Sequence, residues 1–187
     1  MNVIAILRGP GGRRILPAAR VLLDAGLPLE LPLTTPGALA AVEELGRVGV
    51  GTVLTEAQAR DAIGAGAAFL VTPAVVPEVI AYGAARGVPV YAGALTPTEV
   101  WTAHRAGATH IKIFPASAVG PEYLAALRRP YPGLDFVPVG GVGLAEARAY
   151  LDAGASAVGV GSPLIGDALT TGDLDGLRER ALRWAAL

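Results

Sequence analysis

Short apolar runs alternate with helix-spaced segments eight times along this chain, and that alternation restricts its fold more than any single residue does. The predicted strands cover residues 3–7, 29–33, 48–53, 69–72, 88–92, 110–114, 136–139 and 157–160. Between them, apolar residues recur at helical spacing, as in Ile15, Leu16, Ala19, Val21 and Leu22. Several helical stretches close on a small residue and glycine: Ala25-Gly26, Ala65-Gly66, Ala106-Gly107, Ala153-Gly154. Glycine there supplies the left-handed turn that sends the chain into the next strand. Strands apolar along their whole length are buried on both faces, which means a parallel sheet covered by helices. Eight such units predict a compact (β/α)8 barrel in one domain spanning residues 1–187, with short loops throughout; a doubly wound open sheet is the alternative. The first strand begins almost at once, so no upstream segment is expected to plug the lower mouth of the barrel.

Composition narrows the function classes. The formal net charge of −1 and the pI near 6.1 argue against a nucleic-acid surface. No cysteine is present, which removes disulfides, zinc thiolates and thiol catalysis. The opening apolar stretch is too short for a membrane span and lacks a signal peptide's basic flank, so a soluble cytoplasmic protein is expected, with no membrane partner. His104 sits in a helix pattern and reads as a surface residue, and His110 as a residue of the core or barrel floor. Two isolated histidines make a poor metal site, and neither a metal nor another cofactor is expected.

In a barrel of this kind, function sits at the C-terminal ends of the strands. There the sequence places Arg8, Glu30, Thr52, Pro73, Lys112, the Gly140-Gly141 pair and the Gly161-Ser162 pair. Lys112 is the only lysine beside fourteen arginines. Arginine stays charged at any working pH, whereas an amine in a dry pocket can lose its proton and act as a nucleophile. Strand alternation groups His110, Lys112 and Phe114 on one face and Ile111 and Ile113 on the other. The same rule sets Glu30 opposite Leu29, Leu31 and Leu33. Taken alone, Lys112 also reads as a strand-end lysine reaching water, and Glu30 as an ion-pair partner of Arg8. Together they read as a nucleophile and a general acid/base. The glycine-rich ends of strands 7 and 8 add a place to hold a phosphate on backbone amides.

These residues resemble the class I aldolases of the 2-keto-3-deoxy-6-phosphogluconate (KDPG) and 4-hydroxy-2-oxoglutarate aldolase family. The resemblance is carried, in order, by Leu29-Glu30-Leu31, Gly49-Val50-Gly51-Thr52-Val53, Thr72-Pro73, Thr96-Pro97-Thr98-Glu99, Lys112-Ile113-Phe114-Pro115-Ala116, Phe136-Val137-Pro138-Val139-Gly140-Gly141-Val142 and Val158-Gly159-Val160-Gly161-Ser162. It implies a (β/α)8 barrel, a homotrimer, and reversible cleavage of a 2-keto-4-hydroxy acid through a lysine Schiff base with pyruvate, with no cofactor. The expected substrate is 2-dehydro-3-deoxy-6-phosphogluconate, split into pyruvate and a phosphorylated aldehyde. The galactonate epimer and 4-hydroxy-2-oxoglutarate are the alternatives. Carried over by position, Lys112 matches the Schiff-base lysine and Glu30 the general acid/base. Thr52 matches a contact to the pyruvate moiety, Pro73 a wall of the pocket, and Gly140, Gly141, Gly161 and Ser162 the phosphate end.

Three departures stand out. Thr34 occupies a position where the family often has an arginine for the substrate carboxylate, which leaves Arg8 to take a charged end of the substrate. Val139 stands where threonine is common, and the usual N-terminal helix is missing. Two readings from other classes are a phosphate-barrel isomerase or synthase using Glu30 as base, and a ligand-binding barrel without turnover.

Overall fold

The computed structural model describes residues 2–187; Met1, part of the expected domain, lies outside the described residues. Eight parallel strands run in the order β7-β6-β5-β4-β3-β2-β1-β8. They are β1 (Val3–Ile6), β2 (Leu29–Pro32), β3 (Gly49–Gly51), β4 (Leu70–Val71), β5 (Val90–Ala94), β6 (His110–Ile113), β7 (Phe136–Pro138) and β8 (Val158–Val160). A bridge between Val139 and Gly159 brings β7 against β8 and closes the ring, giving the expected (β/α)8 barrel.

Helices α1 (Ile15–Asp24), α2 (Ala38–Leu45), α3 (Glu56–Gly64), α4 (Pro77–Ala84), α5 (Pro97–Arg105), α6 (Pro121–Arg128) and α7 (Leu144–Asp152) each follow one strand. The last unit is more elaborate than the eightfold pattern predicts. After β8 come two four-residue helices, α8 (Ser162–Ile165) and α9 (Ala168–Thr171), before the long α10 (Leu174–Ala185). α10 packs on α1 and so joins the end of the chain to its start.

The period-2 pattern sorts the strand residues as expected. Leu29, Leu31, Ile111 and Ile113 face outward into the helix-covered core, while Ile4, Ile6, Val137, Val139 and Ala157 form a separate cluster inside the barrel. The barrel floor is filled by its own strands. Tyr91 stacks on His110 with ring centroids 4.1 Å apart and planes 2° from parallel, and Phe69 lies 5.1 Å from Tyr91. Gly49 makes room for this plug, because a Cβ there would stand 2.1 Å from the Phe69 ring.

Most strands are a residue or two shorter than expected and β5 runs on to Ala94; two of the boundaries have plain local reasons. β3 stops at Gly51 rather than Val53 because Thr52 adopts a left-handed backbone, φ 59°, and leaves the ladder. β5 starts at Val90, since Gly87 is left-handed and Pro89 has no N–H to give.

Candidate active site

A cavity of about 730 Å³ opens at the C-terminal ends of the strands. The residues expected at the strand ends line it: Arg8, Glu30, Thr52, Pro73 and Lys112, with Gly140, Gly141, Gly161 and Ser162 at the ends of β7 and β8. Thr34 is exposed and does not line it; its neighbour Thr35 is fully buried and accepts a hydrogen bond from the Gly9 N–H at 3.3 Å.

Lys112 enters from β6, in register with Gly93 on β5 and Val137 on β7. It is only 6% exposed, so it does not reach bulk water in the manner of a snorkelling lysine, and its Nζ lies 5.0 Å from the centroid of the Phe114 ring. Glu30 enters from β2 and is 3% exposed. Its carboxylate occupies the space over Gly51, where a Cβ would stand 1.8 Å from Oε1. The ion pair between Glu30 and Arg8 does not form: the ion pairs among the described residues are Arg20–Glu44 and Arg60–Glu56, both on the surface. Arg8 instead donates from Nη2 to Thr52 Oγ1 at 3.4 Å.

Burial shapes both titrations. Loss of solvation pushes the Lys112 amine below its ordinary pKa; the Glu30 charge pulls it back up and the Arg8 charge adds to the fall. Loss of solvation pushes the Glu30 carboxyl above its ordinary range, opposed by the charges of Lys112 and Arg8. The cavity therefore holds an amine that gives up its proton more readily than usual and a carboxyl that keeps its proton more readily than usual, a combination suited to attack on a carbonyl with proton transfer nearby.

The surrounding backbone is shaped around these groups. Thr52 carries φ 59°, a conformation that costs a β-branched residue on the order of 1–3 kcal/mol and is held by the β3–α3 turn. Pro73 forms a wall because the turn after β4 is tied down: Thr72 Oγ1 accepts from the Gly93 N–H at 3.2 Å and donates to the Ala74 carbonyl at 2.6 Å. Gly93 permits this close passage, since a Cβ there would stand 2.2 Å from the Pro73 carbonyl carbon. Gly141 has φ 71° and no room for a Cβ beside Ser117.

Sequence reasoning missed other lining residues. Phe114 shares the inward face of β6 with Lys112, so alternation could have included it. Ile165, Leu169 and Thr170 come from the short helices of the last unit, for which no apolar period existed to read. The two histidines are elsewhere. His104 is exposed on α5 beside Trp101, and His110 lies in the floor plug with its Nδ1 buried and without a hydrogen-bond partner among the described residues. No three His, Asp or Glu side chains converge among those residues.

Residues 1–179 match the model of the KDPG and KHG aldolase family. The chain belongs to that family. It is an aldolase, an aldehyde-lyase of the KDPG aldolase type. It is 35% identical to a probable 2-dehydro-3-deoxy-6-phosphogalactonate aldolase of Rhizobium meliloti (strain 1021), across 96% of this chain and 88% of that one. It is 36% identical to a 2-dehydro-3-deoxy-phosphogluconate aldolase of Treponema pallidum (strain Nichols), across 73% and 69%. Among solved structures, a native KDPGal structure superposes with a TM-score of 0.89 at 32% identity, covering 100% of this aldolase and 93% of that chain. A KDPG aldolase from Legionella pneumophila, with pyruvate captured as a covalent carbinolamine, superposes with a TM-score of 0.87 at 29% identity, covering 96% and 93%. No described helix of this aldolase is long and apolar enough to cross a membrane.

Proposed function

We propose that this aldolase cleaves 2-dehydro-3-deoxy-6-phosphogluconate to pyruvate and glyceraldehyde 3-phosphate through a Schiff base on Lys112. The observation that carries the reading is the convergence of one buried amine and one buried carboxyl, unpaired by any short ion bridge, in the same cavity.

The neutral Nζ of Lys112 attacks the C2 keto carbon to give a carbinolamine. Glu30, as the acid, gives its proton to the carbinolamine hydroxyl, which departs as water and leaves an iminium beside the Glu30 carboxylate. Glu30, as carboxylate, takes the proton of the C4 hydroxyl. The C3–C4 bond breaks, its electron pair runs into the iminium as an enamine, and the aldehyde departs. Glu30 then returns its proton to C3, and water hydrolyses the iminium to release pyruvate and the free amine, its surplus proton restoring the Glu30 acid. Each proton taken is given back, so the cycle consumes no cofactor.

Arg8, whose guanidinium has no carboxylate partner within an ion-pair distance among the described residues, is suited to a charged end of the substrate. Thr52 and Pro73 bound the pyruvate end, and the N–H groups around Gly140, Gly141, Gly161 and Ser162 bound the phosphate end. A second reading, the galactonate epimer, is supported by the likeness to the Rhizobium meliloti relative, and the apolar wall at Val139 offers no hydroxyl that would prefer one C4 configuration over the other. Phosphorylated substrates do not cross membranes unaided, which supports a cytoplasmic place of action. A homotrimer would cover some of the exposed apolar side chains Leu54, Trp101, Leu144 and Leu182, and light scattering of the purified protein tests it.

Borohydride reduction in the presence of pyruvate tests the central step. The expected product is one reduced pyruvate unit per chain, located on Lys112 by peptide mass analysis and absent in Lys112→Met. Absence of any adduct at saturating pyruvate would overturn the Schiff-base mechanism. Comparing kcat/KM on phosphorylated and unphosphorylated substrates then tests the phosphate end, and the two phosphorylated epimers assayed side by side separate the two readings.

A further inference from the structure

The segment between β8 and α10 walls the cavity from Ser162 through Gly166 to Leu169 and Thr170. It is made of two helices of four residues each, too short to persist without outside support. Two arginines supply that support from behind the wall. Arg180 on α10 donates from Nε to the Leu164 carbonyl at 2.9 Å and from Nη2 to the Ile165 carbonyl at 3.0 Å. Arg14, just ahead of α1, donates from Nη1 to the carbonyls of Leu169, at 3.3 Å, and Thr170. These carbonyls lie at or near the C-terminal ends of α8 and α9, where a helix has no N–H donors of its own left to offer them.

The path of Arg180 is built into the backbone. A Cβ on Gly166, which is left-handed at φ 57°, would stand 3.0 Å from the Arg180 Cζ, and a Cβ on Gly176 would stand 3.2 Å from its Nη1. The guanidinium thus passes between two positions that carry no side chain. Neither Arg180 nor Arg14 has a carboxylate within 4.0 Å among the described residues, so their charge is shared only with main-chain carbonyls. Arg178 and Arg183 on the same helix are exposed and make no hydrogen bond among those residues.

We infer that Arg180, with Arg14, is a positioning residue for substrate recognition: the pair fixes the α8–α9 wall so that its cavity side receives the phosphorylated end of the substrate. Neither residue touches the reacting atoms. The inference rests on the phosphate reading of this cavity end. It predicts a penalty on the phosphorylated substrate that is absent from the pyruvate half of the reaction, because Lys112 and Glu30 stand on β6 and β2, each separated by one strand from β8, which leads into this wall.

The test uses the full-length enzyme with Arg180→Ala, Arg180→Lys and, as a control for charge on the same helix, Arg178→Ala. Arg180→Ala is expected to raise KM for the phosphorylated substrate about ten-fold or more, as befits loss of two charge-assisted hydrogen bonds. Its KM for unphosphorylated 4-hydroxy-2-oxoglutarate and its borohydride trapping with pyruvate should match wild type. Arg180→Lys should recover part of the loss, and Arg178→Ala should behave as wild type. Amide hydrogen exchange over residues 162–171 should quicken in Arg180→Ala while exchange in β6 does not. Equal KM increases on both substrates, or unchanged exchange over 162–171, would overturn the inference. A wild-type enzyme indifferent to the phosphate refutes the phosphate reading and the recognition role with it. The exchange measurement still decides whether the arginines hold the wall, so the two failures are told apart.

Discussion

Gly51 leaves its side-chain space to the carboxylate of Glu30, with Oε1 1.8 Å from where a Cβ would be. In the ladder Glu30 is paired with Gly49, so its side chain leans along the strand to reach the space above Gly51. The acid's position is therefore set by an absence on the neighbouring strand. Gly51→Ala is expected to displace the carboxyl and cost about 1–3 kcal/mol of stability, as overpacking of a filled interior does. Gly64→Ala supplies the contrast: that glycine ends α3 in open space with no unusual φ, and the substitution should stabilise by about 0.5 kcal/mol. Thermal unfolding of the two variants, together with cleavage rates for Gly51→Ala, checks the pair.

Glu30→Gln separates the two chemical halves of the reaction. Cleavage should fall by about 10²–10⁴-fold, the usual worth of a general acid/base. The Glu30 charge raises the pKa of Lys112, so its removal lets that pKa fall further. The pH at which pyruvate trapping rises should then move to lower values than in wild type. A shift to higher pH would contradict the coupling.

Arg8→Gln should move the same profile the other way. The Arg8 charge depresses both Lys112 and Glu30, so losing it raises both and shifts the onset of trapping to higher pH. Arg8 also faces the cavity, so KM for the substrate should increase. Initial trapping rates measured across pH for the two variants side by side show whether the opposite signs hold.

Val139→Thr keeps the shape of the pocket wall and adds one hydroxyl at the closing bridge. If that hydroxyl reaches the substrate, the ratio of kcat/KM between the gluconate and galactonate epimers should change by about ten-fold, the worth of one hydrogen bond. An unchanged ratio would place the source of stereochemical preference elsewhere in the cavity.

Most of the barrel was legible because its strands are buried on both faces and its helices on one. Leu29, Leu31, Ile111 and Ile113 revealed the outer layer by alternation, and the inward partners Glu30 and Lys112 followed from the same period. Features that depend on the main chain left no such trace. Thr52 shows nothing in its type that announces a left-handed backbone. Arg14 and Arg180 bind carbonyls, which every residue has, so no spacing pattern records the contact. His110 was legible as a core or floor residue, but its stack with Tyr91 and Phe69 was not, because the three come from successive βα units and meet only when the sheet curls.

The join that closes the sheet has a consequence for how the enzyme meets heat. β5 and β6 pair over four residues, whereas among the described residues β7 and β8 are joined by one bridge, Val139–Gly159, and by the hydrogen bonds of Ser156 to the Phe136 carbonyl. Gly140 and Gly141 lie on one side of that join, Gly161 and Ser162 on the other. A molecule held by both pairs is a stitch across the thinnest seam of the barrel, and at a hundred times its Kd it would add about 2.7 kcal/mol. Such an enzyme is sturdiest while it is being fed, and its turnover in a starved cell would be set by an unstitched seam.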